Sequence, residues 1–296
     1  MILNSMVKTM SNRTDWRFWS LKTIGLLLLA MTAVLPAAAQ TDAEKAAKNP
    51  IAKKISLEYQ SVFQFDYGDE EKTGYVGMFQ PVLPLTVGPV NFISRPLIPI
   101  IALPEVTLGE DGTIPGLPTP PIGQPGQMVK ATGLGDITYQ LLLSPAIPGK
   151  VIWGIGPALT FPTASDPSLG NGKYAGGPAV VALAQPGNMT LGVLAMNSWS
   201  YAGDKDRSAT NQFSLQYFID YGLGNGWSLA SSPLLTANWR AKSNRWLVPV
   251  GGGVNKMFPG KVPVQIKMHA YWHAARPNTA SNWQIMISVQ PVILLK

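Results

Sequence analysis

From Ile55 to the C-terminus the sequence alternates apolar and polar residues with a period of two, and no other feature constrains the fold as strongly. In 264–273, Val264, Ile266, Met268, Ala270 and Trp272 share one face, opposite Gln265, Lys267, His269, Tyr271 and His273. In 283–290, Trp283, Ile285, Ile287 and Val289 oppose Gln284, Met286, Ser288 and Gln290. In 211–221, Phe213, Leu215, Tyr217, Ile219 and Tyr221 oppose Gln212, Ser214, Gln216, Phe218 and Asp220. In 55–65, Ile55, Leu57, Tyr59, Phe63 and Phe65 oppose Ser56, Glu58, Gln60 and Gln64. Successive side chains of a strand point to opposite faces, so each segment reads as a strand with one apolar and one polar side. Composition agrees. The 29 Gly and 26 Pro are too many for a helix bundle. A disordered chain would carry far more than 13% charged residues. The absence of Cys excludes disulfides, iron–sulfur clusters and thiolate zinc sites.

The N-terminus has a different grammar. Lys8, Arg13, Arg17 and Lys22 precede an apolar run at 24–35, followed by Ala37-Ala38-Ala39 and Gln40. This order of basic, apolar and small residues predicts a secretory signal peptide over 1–39, cleaved after Ala39. The apolar run is too short for a spanning helix, which needs about 20 residues. Removing the leader leaves 19 Lys+Arg against 15 Asp+Glu, so the +7 of the whole chain shrinks to +4. That charge is dispersed, which argues against nucleic acid as a partner. No later apolar run could form a spanning helix, so membrane insertion would require a β-barrel.

Twelve strands are predicted, at 55–65, 73–85, 90–103, 131–144, 150–162, 174–185, 189–201, 209–222, 226–239, 245–258, 262–275 and 281–294. Short connections such as 86–89, 186–188 and 223–225 alternate with longer ones such as 104–130, 163–173 and 202–208. An even strand number with short turns on one side and long loops on the other is the outer-membrane barrel pattern. Both termini then lie on the short-turn, periplasmic side. Trp153, Trp199, Trp227, Trp239, Trp246, Trp272 and Trp283 fall near strand ends, where indoles favour a membrane interface. A soluble barrel would turn its apolar face inward, and the alternation leaves the sense of the faces open. The prolines oppose the pattern. Pro81, Pro96, Pro99, Pro157, Pro178, Pro233, Pro249 and Pro291 all fall inside predicted strands, where each removes a ladder donor. Bulges or shorter strands must accommodate them.

Several ordered segments resemble a known family. They include NPIAKKISL (49–57), QPVLPL (80–85), SRPLIPII (94–101) and GLGDI (133–137). They continue with SPAIPGKVIWGIGPALTFPTAS (144–165), NSWSYAGD (197–204), NQFSLQYFIDY (211–221), GWSLASSPLLTANW (226–239), WLVPVGGGVNKMF (246–258) and AYWHAARP (270–277). Together they are similar to bacterial outer-membrane barrels often mislabelled "neuromedin U", related to the transporter-like barrels named for the MetA pathway of phenol degradation. The resemblance spans about Asn49 to the end. It implies an outer-membrane barrel with a transport role, and by kinship a hydrophobic or aromatic solute. It implies no signature site. The C-terminal Ile293-Leu294-Leu295-Lys296 lacks the terminal aromatic common in such barrels.

Candidate chemistry is sparse. His269 and His273 share a strand face about 13 Å apart, at ~3.3 Å per residue, too far to chelate one metal. No G-x-S-x-G elbow is present, and Ser281 or Ser288 with Asn278 or Asn282 near His273 is a pairing that any Ser- and Asn-rich barrel offers. Gly133-Leu134-Gly135-Asp136 and Gly251-Gly252-Gly253 lack the helix of a phosphate site and read as close strand packing or bulges. No catalytic residue, metal site or cofactor is expected. Glu58, Asp136, Asp220, Lys267, His269 and His273 are candidates to line a lumen and set its selectivity. Lys205, Arg207, Arg240, Lys242, Arg245 and Arg276 lie in outward loops and are candidates to meet lipid phosphates. Residues 42–54 are good helix formers interrupted by Asn49-Pro50; they could fold back as a plug or trail as a loose leader.

The expected molecule is an all-β, transmembrane, antiparallel up-and-down barrel with a short N-terminal helical segment. Its parts are the signal peptide 1–39, a periplasmic segment 40–54 and the barrel 55–296. It is expected to be a monomer in the Gram-negative outer membrane, in contact with outer-membrane lipid, passing small solutes passively. The alternatives are a non-conducting barrel that binds lipid or a partner, and a lipid-modifying enzyme.

Overall fold

The computed structural model describes residues 41–67, 71–107, 128–277 and 280–295. The expected leader 1–39, the heart of the Pro-rich loop 104–130 and Asn278 lie outside the described residues. One helix, α1 (Asp42–Lys48), precedes β1 (Lys54–Tyr67), β2 (Lys72–Val87), β3 (Val90–Thr107), β4 (Met128–Leu134), β5 (Ile137–Pro145), β6 (Val151–Phe161) and β7 (Lys173–Ala184). There follow β8 (Met189–Gly203), β9 (Asn211–Gly224), β10 (Trp227–Ser231), β11 (Leu234–Asn238), β12 (Trp246–Phe258), β13 (Val264–Ala275) and β14 (Trp283–Leu294).

The sheet closes on itself. β1 pairs with β14 from Lys54↔Leu294 to Phe65↔Trp283, and every other pairing is antiparallel, between consecutive strands or across a single short one (β3–β5, β9–β11 and β10–β12). β4 and β5 lie end to end against β3, and β10 and β11 lie end to end between β9 and β12. The fourteen segments therefore make twelve staves, as the sequence predicts. Closure removes sheet edges, which no lipid-exposed strand could leave unpaired.

The structure decides the sense of the faces. On β13, Ile266, Met268 and Trp272 are exposed while Gln265, His269 and His273 are buried inside the barrel. β1, β9 and β14 follow the same rule, so the apolar face is outside. Leu57, Ile155, Val180, Val193, Ile219, Val254 and Ile287 belong to this outer belt. A water-soluble protein rarely exposes so continuous an apolar surface. Trp153 and Trp227 ring the short-turn rim; Trp199, Trp239, Trp246 and Trp272 ring the long-loop rim, all exposed. Belt and girdles together are those of a membrane-spanning barrel. Among the described residues no helix is long and apolar enough to cross a membrane.

Most of the in-strand prolines face another proline or lie beside a break on one side of the ladder. Pro157 faces Pro178, so two residues without donors share one rung. By the register of β2 and β3, Pro81 faces Pro96, in a stretch where no rung forms between Phe79↔Ile98 and Leu83↔Ser94. Pro249 sits at a register shift and Pro233 in the gap between β10 and β11. Pro99 lies opposite the β4–β5 break, where its carbonyl accepts from Gly135 N–H at 2.9 Å. The Gly251–Gly253 run follows the Pro249 bulge. A Cβ at Gly253 would stand 2.0 Å from the Met268 carbonyl oxygen, so these glycines permit close strand approach.

Candidate functional site

The lumen is occupied at its short-turn end by α1 and the residues that follow it. α1 begins with a capping box: Thr41 Oγ1 accepts from Glu44 N–H at 3.2 Å, and Glu44 Oε2 accepts from Thr41 N–H at 2.6 Å. A seven-residue helix is marginal alone, so the barrel must hold it. Lys48 Nζ pairs with Asp220 Oδ1 at 2.5 Å, both side chains buried. Lys54 Nζ donates to the carbonyls of Ala46 and Ala47 near the end of the helix, at 2.5 and 3.1 Å, where carbonyls lack helical partners. Gln185 Nε2 donates to Lys45 O at 2.9 Å. Ala47 packs with Met257 and Val292, and Ile51 joins Val82, Ile93, Leu142 and Val181. Of the two arrangements the sequence allows for 42–54, this is the plug.

Asp220 is the centre of a buried network. Its Oδ2 accepts from Ser228 Oγ at 2.9 Å and from Asn255 Nδ2 at 2.8 Å. Asn255 Oδ1 lies 2.9 Å from His269 Nε2, and His269 Nδ1 lies 2.7 Å from the Tyr271 hydroxyl. The Tyr271 oxygen accepts from Ser232 N–H at 3.1 Å, in the gap between β10 and β11. With Nε2 of His269 carrying the proton, every one of these contacts is a donor meeting an acceptor. Beside it, Lys267 Nζ and Ser288 Oγ both donate to Glu58 Oε1, at 2.8 and 2.6 Å.

Above the plug the lumen holds two adjoining spaces. The one next to α1 is about 90 Å³ and is lined by Lys48, Lys54, Glu58, Asp220 and Lys267. The one toward the long loops is about 190 Å³ and mixes apolar walls (Val62, Val76, Leu97, Ile101, Leu194, Met196) with amides and hydroxyls. Gln60, Gln80, Arg95 and Gln216 border both. Gln80 Nε2 donates to Gln60 Oε1 at 3.3 Å, and Arg95 Nη1 to Gln140 Oε1 at 3.0 Å. The loop after β6 folds inward at the far mouth. Asp136 holds it by accepting from Asn171 N–H at 2.6 Å and Ala164 N–H at 3.2 Å, and Leu169 is buried against the barrel interior.

Five of the six lumen candidates thus point inward from strands: Glu58, Asp220, Lys267, His269 and His273. Asp136 sits in the β4–β5 break as the anchor of an in-folded loop. Sequence reasoning missed Arg95, which stands at the junction of the two spaces, and its partner Gln140, which lines the larger one. The alternation of SRPLIPII could have placed Arg95 inward, but Pro96 and Pro99 just after it obscured it. His269 and His273 have separate partners; His273 Nδ1 lies 2.7 Å from Ser281 O. Ser281 Oγ approaches that nitrogen at 3.4 Å, and the residue is fully buried. Among the described residues no group of three or more His, Asp or Glu could hold a metal ion. Of the loop cations, Arg207, Arg245 and Arg276 bind the carbonyls of Pro167, Ala241 and Ala280, at 3.0, 2.7 and 2.7 Å, while Lys205, Arg240 and Lys242 are exposed.

A crystal structure of the COG4313 outer membrane channel from Pseudomonas putida F1 is similar, with a TM-score of 0.59 and 18% identity over 86% of this chain and 100% of that one. A crystal structure of the P. putida toluene transporter TodX matches with a TM-score of 0.40 and 9% identity over 86% of this chain and 93% of that one. None of the curated proteins matches the sequence. The family model described as "Putative MetA-pathway of phenol degradation" matches residues 73–288, from β2 into β14. Most of the barrel wall falls within that match, and the chain belongs to this family.

Proposed function

We propose that this barrel is a Gram-negative outer-membrane channel for passive passage of small solutes, with α1 and the residues up to Lys54 acting as its gate. The observation that carries the reading is the plug. It fills the short-turn mouth through noncovalent polar contacts to Asp220, Gln185 and Lys54, and the space above it is already solute-sized. A twelve-stranded wall is wider than the eight-stranded barrels that side chains fill and narrower than the 16–18-stranded porins that stay open, so a movable segment can control it. The family's description and the channel activity stated for the P. putida F1 protein support transport. The phenol pathway in the family's description favours an aromatic solute. We further assign 1–39 to a cleaved export signal, 40–54 to the periplasmic side, a monomeric state, and contact with outer-leaflet lipid phosphate through Lys205, Arg240 and Lys242.

The test is planar-bilayer conductance of the parent against a variant lacking residues 42–53. The expected result is a several-fold larger unitary conductance without the plug. Equal conductance would remove the gate, and absence of current in both would leave the non-conducting, partner-binding barrel. N-terminal sequencing of outer-membrane material should begin at Gln40.

A further inference from the structure

Arg95 is a buried cation of the lumen with which no carboxylate among the described residues forms an ion pair. The side chain is 8% exposed and points inward from β3, at the junction of the two spaces. Its Nη1 donates to Gln140, but Nε has no hydrogen-bond partner among the described residues. Nor does any carboxylate among the described residues form an ion pair with it. The nearby Glu58 is taken by Lys267 and Ser288, and Asp220 by Lys48. The junction therefore carries Lys54, Arg95 and Lys267 against the single Glu58. In a cleft with low-dielectric walls such an excess concentrates anions. A buried guanidinium with an unused donor is costly unless an acceptor meets it.

The space above Arg95 constrains the rest of the ligand. Its walls include Val62, Val76, Leu97, Ile101, Leu194 and Met196, and its volume is about 190 Å³. An apolar cavity of about 150 Å³ is enough to hold a benzene ring. The remaining charged side chains lining it are Lys173 and Asp136, and Asp136 is engaged by loop N–H groups. Toward the long-loop end, the Asn171 amide, Ser198 Oγ and Thr210 Oγ1 also lack partners among the described residues, a polar lead-in rather than a second charge site.

From this geometry we infer that the upper lumen is a binding site for a small aromatic monocarboxylate, its ring among the apolar residues and its carboxylate side-on to Arg95. A carboxylate accepting from Nε and its neighbouring nitrogen is the pairing for which the planar guanidinium is suited. The assignment deepens the channel reading by naming a solute class, yet the site would exist in a closed barrel too.

Binding is therefore measured without transport. Benzoate, benzyl alcohol and inorganic phosphate are titrated separately into the full-length, detergent-solubilised protein by calorimetry at low salt. The expected order is benzoate at least tenfold tighter than benzyl alcohol, with phosphate weaker than benzoate because the apolar wall gives it nothing. Arg95→Gln should abolish the preference for benzoate over benzyl alcohol, and Arg95→Lys should retain part of it. Equal binding of benzoate and benzyl alcohol by the parent overturns the assignment, whatever the variants do. So does an Arg95→Gln protein that keeps the preference. If benzoate binds as expected but bilayers carry no current, the site stands and the channel reading falls.

Discussion

The two halves of the lumen are built from the same alternating strands and yet behave as different materials. The short-turn half is closed: α1 fills it, and its charged groups are tied into the Lys48–Asp220–Asn255–His269–Tyr271 chain and the Glu58–Lys267–Ser288 triad. The long-loop half holds the larger space, with apolar walls and several polar atoms that lack partners among the described residues. A half filled by a docked helix and a linked polar network is rigid and selective by exclusion. A half with room beside unmatched groups is prepared for something that arrives. The difference comes from the N-terminal segment, which supplies Lys48, the carbonyls of Ala46 and Ala47, and the apolar Ile51 to the closed half alone.

The largest expected effect breaks the closed half. Asp220→Ala would leave Lys48 buried without its counter-charge, and removing one partner of a buried pair costs about 3–5 kcal/mol. Lys48 sits on a segment that can leave, so the cost should appear as plug release. Residues 41–53 become accessible to protease, and conductance rises toward that of the plug deletion. Asp220→Asn should release it less, since the amide oxygen still accepts from one neighbour. A plug that stays protected in Asp220→Ala would mean that Ile51 and Ala47, not the ion pair, seat it.

A second test separates the lumen from the wall that both halves share. Ile155 is outward on β6, near mid-strand. Ile155→Arg places a cation in the lipid belt and should cost about 2–4 kcal/mol, read by urea unfolding in lipid. Gln212→Lys, on the lumen face of the long-loop half, should leave stability nearly unchanged and shift ion selectivity toward anions. If the two variants were equally destabilised, the outward face of the belt would not be facing lipid.

The sequence made the wall legible because a period of two is a direct geometric consequence of a strand. Twelve staves, their alternating connections and the faces of β1, β9, β13 and β14 all follow from residues read in order. Where pairing was needed, the reading stopped. Eight in-strand prolines looked like an obstacle because sequence does not show that Pro157 meets Pro178 or that Pro81 meets Pro96. The site was legible one residue at a time: Glu58, Asp220 and Lys267 could be placed inward, but not Lys48 against Asp220, which are 172 residues apart in number and adjacent only after closure. Arg95 was missed for the same reason, since its significance is the absence of a carboxylate opposite it.

The smallest expected effect lies at the rim of the long-loop half, where the six loop cations divide by what they touch. Arg207, Arg245 and Arg276 are tied to loop carbonyls, so removing one loosens a loop. Lys205, Arg240 and Lys242 are exposed, and their worth depends on what lies outside. In water, exposed ion pairs contribute about 0.2–1 kcal/mol. Beside an anionic membrane surface each cation can contribute about 1 kcal/mol. Changing all three to Gln should therefore leave unfolding in neutral detergent unaltered and lower stability only in vesicles containing anionic lipid, by up to about 3 kcal/mol in total. The vesicle-specific loss should disappear at high salt, because screening removes interactions beyond a few ångströms. Equal stability of parent and variant in both media would take lipid phosphate away as a partner of these loops. The same substitutions in Arg207, Arg245 and Arg276 should act in detergent as well, because the carbonyls they hold are present in either medium.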